Sequence, residues 1–236
     1  MGDRMKYTTL LVDADETLFD FRKCEANALK NALTFYGLEY NEDINKKFTS
    51  INSALWRKFE MSRITRSELR VRRFSELIEK CFDGFTDAEK LAFKYIDELS
   101  YQAILIPGTA GAVKKLSELY DIYIITNGLT KVQRGRFSRT EFTGYFKDIF
   151  ISDEIGMNKP DKKFFDYVLS KIDEKDRSKI LVVGDSLTSD MQGGRNAGLD
   201  TCLFDPYDNV SMPHPLCDHK IKSLAEIISF ASEEEK

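Results

Sequence analysis

Two patterns of apolar and polar positions divide the chain into regions with different predicted structure. Residues 7–13 begin with a largely apolar run from Tyr7 to Val12, which predicts a buried strand. From residue 22 to about residue 102 the apolar positions recur at helical spacing, and they predict about four packed helices without a strand. The first strand is therefore followed by a helical region.

Local signals mark helix ends in this region. Thr65 with Glu68, and Thr86 with Glu89, have the spacing of a capping box, in which each side chain binds the other residue's backbone N–H. Gly37 can end the first helix, because glycine adopts the left-handed conformation of a C-terminal cap at little steric cost. We therefore expect helices to begin near residues 65 and 86.

Beyond residue 107 the pattern changes to alternating strands and helices. Strands are predicted at 122–126, 149–152, 180–185, 201–204 and 219–221, and helices at 109–119, 161–171 and 224–230. This alternation implies an α/β fold with a doubly wound parallel sheet of Rossmann-like type. We expect this core to comprise residues 1–19 and 103–236, and residues 20–102 to form an inserted helical-bundle cap. The charged stretch 233–236 is expected to be a frayed end.

Composition narrows the class of partner. The 236-residue chain has a formal net charge of −4 and a sequence pI of about 5.4, which argues against polymeric nucleic acid or an anionic membrane as its main partner. No apolar run approaches the roughly 20 residues of a membrane span, and the four cysteines form no CxxC pair. We expect a cytoplasmic protein with reduced thiols, and a small phosphorylated ligand is compatible with its charge. The oligomeric state is left open.

Asp13 and Asp15 are the first sign of chemistry. They follow the predicted first strand two residues apart, so their side chains share one face. Two like charges about 4 Å apart repel by roughly 4 kcal/mol at an effective dielectric of about 20. A cation, a proton or a reaction is therefore expected to accompany the pair.

Further polar signals follow the later predicted strands. They are Thr126-Asn127-Gly128, Lys159-Pro160, and Gly184-Asp185 with Asp190. Each signal alone is typical of a turn, a helix cap or a solvated side chain. Because ligands of such sheets bind beyond the strand ends, their occurrence at successive ends indicates a single site.

The chain lacks the residues and motifs that several other classes of enzyme need. The chain has two histidines, His214 and His219, both near its end, which argues against a His-based zinc site and a Ser-His-Asp triad. The sequence also contains neither a GxGxxG fingerprint nor a P-loop.

The order of these motifs resembles the haloacid dehalogenase-like (HAD) superfamily over nearly the whole chain. The first motif reads Asp13-Ala14-Asp15-Glu16-Thr17, and the last runs from Gly184-Asp185 to Asp190. Dehalogenases of this superfamily lack the second aspartate of the first motif and need no metal. Because Asp15 is present, the chain resembles the phosphatase branches.

The resemblance implies a role for each motif. Asp13 is the expected nucleophile, which attacks phosphorus and forms an aspartyl-phosphate. Asp15 is the expected general acid, which begins protonated, donates its proton to the leaving oxygen and later activates water. Lys159 is expected to neutralise charge on the nucleophile and the phosphate. The expected phosphate-binding groups are Thr126, the backbone near Asn127 and Gly128, and Lys159.

A metal ion is also implied. Even with Lys159, the aspartates and a dianionic phosphate would leave a large excess of negative charge, and hard oxygen ligands suit Mg²⁺. By analogy with the family, Asp13, the backbone carbonyl of Asp15 and Asp185 would be its protein ligands. Asp190 is expected to orient ligand waters or Lys159 from outside the ligand set, or to bind the metal less directly.

The helical insertion resembles one branch, the bacterial pyrimidine 5′-nucleotidases. The resembling residues are Asn52 to Trp56, Glu60, Glu68-Leu69, Arg73-Phe74, Thr126 to Gly128 and the segment 159–167. The favoured prediction is a Mg²⁺-dependent 5′-nucleotidase acting on pyrimidine nucleoside monophosphates. A phosphatase of sugar phosphates or phosphoglycolate, and a phosphomutase like β-phosphoglucomutase, stay open. A non-catalytic relative is disfavoured, because every motif residue is present.

Overall fold

The computed structural model describes residues 6–61 and 63–231, and the chain forms two compact units. The first unit contains the residues up to Asp20, Ile104–Thr130 and the described residues from Phe137 onward. The second consists of Phe21–Ala103 and Lys131–Arg136. The charged stretch 233–236, which was expected to be frayed, lies outside the described residues.

The first unit is built on a parallel sheet. Its strands are β1 (Thr9–Val12), β2 (Asp121–Thr126), β3 (Asp148–Ile151), β4 (Ile180–Gly184), β5 (Asp200–Phe204) and β6 (His219–Ile221). Among the described residues these six strands lie in the order β3-β2-β1-β4-β5-β6, and each neighbouring pair is parallel. This order confirms the predicted doubly wound α/β sheet.

The strand β1 lies where the strand order reverses. Its last residue, Val12, is paired with Ile124 on β2 and with Val183 on β4. All residues of β1 and β4 are buried, as expected for apolar runs that are covered on both faces. The crevice beyond the carboxyl ends at such a reversal is the usual ligand site of an open α/β sheet.

Helices make up most of the remaining chain. They are α1 (Phe21–Phe35), α2 (Glu42–Glu60), α3 (Arg66–Cys81), α4 (Ala88–Ser100), α5 (Thr109–Ser117), α6 (Thr130–Phe137), α7 (Ser152–Ile155), α8 (Lys162–Lys171) and α9 (Gln192–Asn196). The predicted helix at 224–230 is a 3₁₀ helix at Leu224–Ala231, and Leu187–Met191 forms a π-helical turn. Helix α6 was not predicted from the sequence.

The second unit contains α1 to α4 and most of α6. Each of α1 to α4 buries one apolar stripe, as the helical spacing predicted. No strand occurs among the described residues of this unit, which also agrees with the prediction.

The three predicted helix ends lie close to the observed ones, but the capping residue of one helix differs. Thr65 begins α3 with a complete capping box, in which its backbone N–H donates to Glu68 at 2.7 Å. Gly37 has a φ of 68°, the left-handed conformation expected after α1. A helix begins near residue 86 as expected, but the prediction of Thr86 as its capping residue is wrong: the Asp87 side chain caps α4 by accepting from Lys90 N at 3.0 Å.

Buried polar side chains link the helices of the second unit. Asn52 on α2 donates through Nδ2 to Glu25 Oε1 on α1 at 2.5 Å and accepts from Arg73 Nη1 on α3 at 3.2 Å. Thr49 donates to the second oxygen of Glu25 at 3.1 Å. The Arg73 guanidinium lies 4.7 Å from the ring centre of Tyr95 on α4. We call Glu25, Thr49, Asn52 and Arg73 the helical polar cluster.

Within the described part of the chain, no helix combines the length and the apolar character that crossing a bilayer requires.

Candidate active site

The predicted site residues come from the carboxyl ends of neighbouring strands. Asp13 follows β1, Thr126 ends β2, and Asp185 follows β4. Since β2 and β4 flank β1, the parallel register places these three strand ends side by side. Lys159 comes from the segment that joins α7 to α8, and its side chain reaches the same place.

Asp13 is held from its backbone and from its carboxylate. Its N–H donates to Val183 O at 2.8 Å, which continues the β1–β4 ladder for one residue. Its side chain is buried and accepts at Oδ1 from Lys159 Nζ at 2.5 Å. Oδ2 has a longer contact of 3.5 Å with Thr17 Oγ1. The carboxylate therefore has a defined orientation at the end of the central strand.

The Lys159 ammonium is buried and fully bonded. Besides Asp13, it donates to Asp190 Oδ1 at 2.6 Å and to the backbone oxygen of Ile125 at 2.9 Å. An ammonium has three N–H donors, and each one has an acceptor here. Burial lowers the pKa of Lys159, but the two carboxylates outweigh it, and the net shift is upward. Lys159 is therefore a permanent cation.

The carboxylates nevertheless exceed the cation in number. Burial raises the pKa of Asp13, Asp190 and Asp15 raise it further, and Lys159 opposes them. Burial also raises the pKa of Asp185 well above its usual range, with Asp13 and Asp190 adding to the shift. Both shifts report the same physical condition, a buried excess of negative charge. We call Asp13, Lys159, Asp185 and Asp190 the strand-end cluster.

Asp190 connects this cluster to the loop after β4. It is fully buried, and its Oδ2 accepts from Ser186 N at 3.1 Å while Oδ1 contacts Lys159. Its carboxylate lies directly against Gly184, so that a Cβ at position 184 would overlap it. Glycine at the end of β4 is thus a steric requirement for the position of Asp190. The position of Asp190 beside Lys159 or the ligand waters was expected from the sequence, whereas the steric role of Gly184 was not.

The cluster has the donor set of a divalent-cation site. One carboxylate oxygen from each of Asp13, Asp185 and Asp190 lies within 4.8 Å of the others, and among the described residues this is the group that could hold a metal ion. Carboxylate oxygens are the hard ligands that Mg²⁺ prefers. A divalent cation would also offset the charge excess, so the residues fit the expected metal.

Asp15 and Glu16 continue the loop beyond Asp13. Asp15 is half-buried and near enough to Asp13 to raise the pKa of that carboxyl group. Glu16 has a φ of 60°, a left-handed conformation that is uncommon for a residue with a side chain. Its N–H donates to Phe19 O at 2.8 Å, which closes the turn. The turn thus orients the residues that follow the nucleophile candidate.

The Thr126-Asn127-Gly128 segment has two sets of contacts. The Thr126 hydroxyl accepts from Gly128 N at 3.0 Å and keeps its own O–H as a donor. The Asn127 side chain instead bonds the backbone of Lys159, with Nδ2 donating to the oxygen and Oδ1 accepting from the nitrogen, both at 2.9 Å. This second set of contacts was not predicted, and no sequence signal could have paired residues 32 positions apart.

Comparisons with known proteins identify the family to which the chain belongs. The sequence model of the haloacid dehalogenase-like hydrolases matches residues 7–198. The chain is 36% identical to the HAD-hydrolase YfnB of Bacillus subtilis, over 94% of each chain. It is 36% identical to pyrimidine 5′-nucleotidase PynA of Streptococcus pneumoniae, over 96% of this chain and 100% of PynA. It is 34% identical to pyrimidine 5′-nucleotidase YjjG of Escherichia coli, over 86% and 88%.

A solved structure extends the similarity to three dimensions. The magnesium-bound crystal structure of B. subtilis YfnB superposes with a TM-score of 0.90 at 35% identity, over 97% of this chain and 100% of that one. The strand order, the motif positions and these similarities lead to one assignment. The chain belongs to the haloacid dehalogenase-like hydrolases.

Proposed function

We propose that this enzyme is a Mg²⁺-dependent 5′-nucleotidase that hydrolyses pyrimidine nucleoside monophosphates through an aspartyl-phosphate. The observation that carries the chemistry is the buried Asp13–Lys159 pair, flanked by Asp185 and Asp190 at the end of the central strand. The similarity to PynA and YjjG supports a small phosphorylated metabolite, and specifically a pyrimidine nucleotide, as the substrate.

In this proposal Asp13 is the nucleophile. Its oxygen forms a bond to phosphorus while the bond from phosphorus to the leaving alcohol breaks. Lys159, fixed at 2.5 Å from Oδ1, orients the carboxylate and balances charge as the phosphoryl group arrives. The strand end holds the backbone of Asp13, so the attack needs little rearrangement of the protein.

Asp15 is the proposed general acid. It donates its proton to the alcohol oxygen as that oxygen leaves with the bonding electron pair. The ionised Asp15 then takes a proton from water, which attacks phosphorus and displaces Asp13, so that inorganic phosphate is released and both aspartates return to their first state. The position of Asp15 two residues after the nucleophile places both roles on one loop.

The remaining predicted residues have supporting roles in the proposal. The Thr126 hydroxyl and backbone amides near Asn127 and Gly128 bind phosphate oxygens. Asp13, the backbone carbonyl of Asp15 and Asp185 would hold Mg²⁺, which when bound supplies the positive charge that the strand-end cluster lacks. The division into residues 1–19 with 103–236 and a cap of residues 20–102, and the cytoplasmic location, stay predictions.

A substrate panel tests the proposal. We would measure phosphate release from UMP, dUMP, AMP, glucose 6-phosphate and phosphoglycolate, in Mg²⁺ and in EDTA. The highest kcat/KM is expected for the pyrimidine nucleotides, and EDTA is expected to abolish turnover. A preference for the sugar phosphate or phosphoglycolate would contradict the nucleotidase assignment, and full activity in EDTA would contradict the metal assignment.

The matched control is an aspartate at the opposite end of a strand. Asp121 begins β2 and pairs with Lys147 on the surface at 3.1 Å. Asp121→Asn is expected to keep the activity of the unmodified enzyme, whereas Asp13→Asn is expected to lose it. Equal activity of the two variants would rule out Asp13 as the nucleophile.

A further inference from the structure

The Asn127 side chain forms two hydrogen bonds with the backbone of a single residue, Lys159. Its Nδ2 donates to the backbone oxygen of Lys159 and its Oδ1 accepts from the backbone nitrogen of Lys159, both at 2.9 Å. The assignment of the two amide atoms is unambiguous, because a backbone N–H can only donate and so must face the oxygen. Both functional groups of Asn127 are therefore directed at the same residue.

Lys159 needs such support because its segment has no regular structure. Residues 156–161 join α7 to α8 without a helix or strand. The side chain of Lys159 nevertheless reaches into the strand-end cluster and is almost completely buried there. A lysine has a flexible four-carbon stem, so the place of its ammonium depends on where its backbone is held.

The contact also ties the loop that carries Lys159 to the end of β2. Asn127 directly follows β2, whose last residues include Ile125, and the Ile125 oxygen accepts from Lys159 Nζ at 2.9 Å. The end of β2 thus holds Lys159 twice, at its backbone through Asn127 and at its ammonium through Ile125. The remaining two acceptors of the ammonium are Asp13 and Asp190.

We propose that Asn127 is a positioning residue for the hydrolase reaction, which acts by placing Lys159 against Asp13. This inference rests on the charge-balancing role proposed above for Lys159. The side chain of Asn127 does not bind the phosphate in this assignment, although its backbone can still do so. Removal of Asn127 should therefore reduce kcat more than it changes KM.

If Asn127 only stabilised the loop, removal of another amide contact to the same loop should reduce kcat equally. Asn196 provides this control. Asn196 donates through Nδ2 to the backbone oxygen of Pro160 at 3.0 Å, one residue after Lys159. Asn196→Ala removes an amide tether from this loop but leaves both contacts to Lys159. Asn158 also donates to the Lys159 oxygen, at 3.1 Å, so the bond that Asn127 alone provides is the one to the Lys159 nitrogen.

The experiment is a variant cycle assayed with p-nitrophenyl phosphate, which does not depend on base preference. We expect Asn127→Ala to lower kcat by about 10- to 100-fold with KM within about threefold, because a misplacement of about 1 Å can cost about 100-fold in rate. Asn127→Leu, which keeps the size of the side chain, should behave alike, and Asn196→Ala should stay within about threefold. Circular dichroism melting would confirm that each variant is folded.

The cycle is completed with Lys159→Met under single-turnover conditions, with enzyme in excess so that slow reactions are measurable. If Asn127 acts through Lys159, then Asn127→Ala should have less than about a threefold further effect in the Lys159→Met background. A full additional loss in that background would show that Asn127 acts on the substrate directly and would overturn the inference. An equal loss in Asn196→Ala would also overturn it.

The two proposals fail in different ways. If Lys159→Met is impaired but Asn127→Ala and Asn127→Leu retain full kcat, the positioning role is wrong and the role of Lys159 stands. If Lys159→Met itself retains full kcat, the proposed role of Lys159 is wrong, and the inference about Asn127 fails with it.

Discussion

The strand-end cluster and the helical polar cluster are both buried, but they differ in charge. The first places three aspartates around the single ammonium of Lys159. The second sets the Glu25 carboxylate and the Arg73 guanidinium on either side of the neutral Asn52. One cluster therefore has a negative excess, while the other has formal charges that cancel.

This difference separates a site from a structural network. In the helical polar cluster, burial lowers the pKa of Arg73, and Tyr95 and Glu25 oppose that shift, so the opposite charge of Glu25 offsets part of the desolvation of Arg73. In the strand-end cluster the pKa values of Asp13 and Asp185 both shift upward, because burial disfavours the charged form and neighbouring carboxylates add to the shift. Buried polar residues alone do not indicate function, whereas an unbalanced charge calls for a ligand.

The largest expected difference between the clusters concerns turnover. Asp13→Asn should lower kcat by at least about 10⁴-fold, or roughly 5 kcal/mol in activation free energy, because the amide is a poor nucleophile. Its thermal stability should be equal or higher, since one of the repelling carboxylates is gone. Glu25→Gln should show the reverse, with kcat within about threefold and a lower melting temperature. A large kcat loss in Glu25→Gln would contradict the assignment of the helical polar cluster to a structural role.

Stability should respond most strongly in the helical polar cluster. Arg73→Met leaves the Glu25 carboxylate buried without its cation, and we expect the free energy of unfolding to fall by about 3–5 kcal/mol. Urea denaturation would measure this loss. Adding Glu25→Gln to Arg73→Met should recover part of the loss, since the buried charge is then removed. Additive losses would show that the two residues are not coupled.

Gly184→Ala tests the steric link inside the strand-end cluster. The new Cβ would displace the Asp190 carboxylate and, with it, one of the three acceptors of Lys159. We expect kcat to fall by about 10²-fold, or roughly 2.7 kcal/mol. Gly111→Ala on α5 is the control, because a Cβ there meets no atom within 4 Å. Similar kinetics for both variants would contradict the steric role of Gly184.

The effect of metal binding on the free energy of unfolding should be the smallest of these changes, and it should be confined to the strand-end cluster. Mg²⁺ at ten times its dissociation constant should stabilise the folded enzyme by about 1.4 kcal/mol, and EDTA should remove this gain. Asp185→Asn should abolish the thermal shift, while Glu25→Gln should keep it. A shift that persists in Asp185→Asn would place the metal elsewhere.

Much of the fold could be predicted because it depends on local patterns. Apolar runs such as 180–183 lie buried in the sheet, and the strand ends carry the polar motifs. Helix α6 escaped prediction because its sequence is mostly polar and contains Gly135. That glycine is packed closely against Ser100, where a Cβ would crowd the backbone oxygen. The presence of glycine in this helix is thus explained by a tertiary contact, which no local sequence pattern encodes.

Prediction of the candidate site was also limited to what local sequence patterns encode. Motif order identified Asp13, Asp15, Lys159 and Asp185, because each is tied to a strand or to its neighbouring loop. The amide contacts of Asn127 could not be predicted, since they join segments that only the fold brings together. The cap of α4 was mistaken for a simpler reason: Thr86 and Asp87 both suit the position, and the Asp87 carboxylate makes the bond.

The close packing of Asp190 against Gly184 also has an evolutionary consequence. Every missense change of a glycine codon introduces at least a Cβ, so the first amino-acid replacement at this position already disturbs the carboxylate beside it. A gene duplicate could therefore lose its chemistry by drift at position 184 while every charged motif residue is still encoded. A survey of paralogous genes that counted aspartates alone would classify such a copy as an active enzyme.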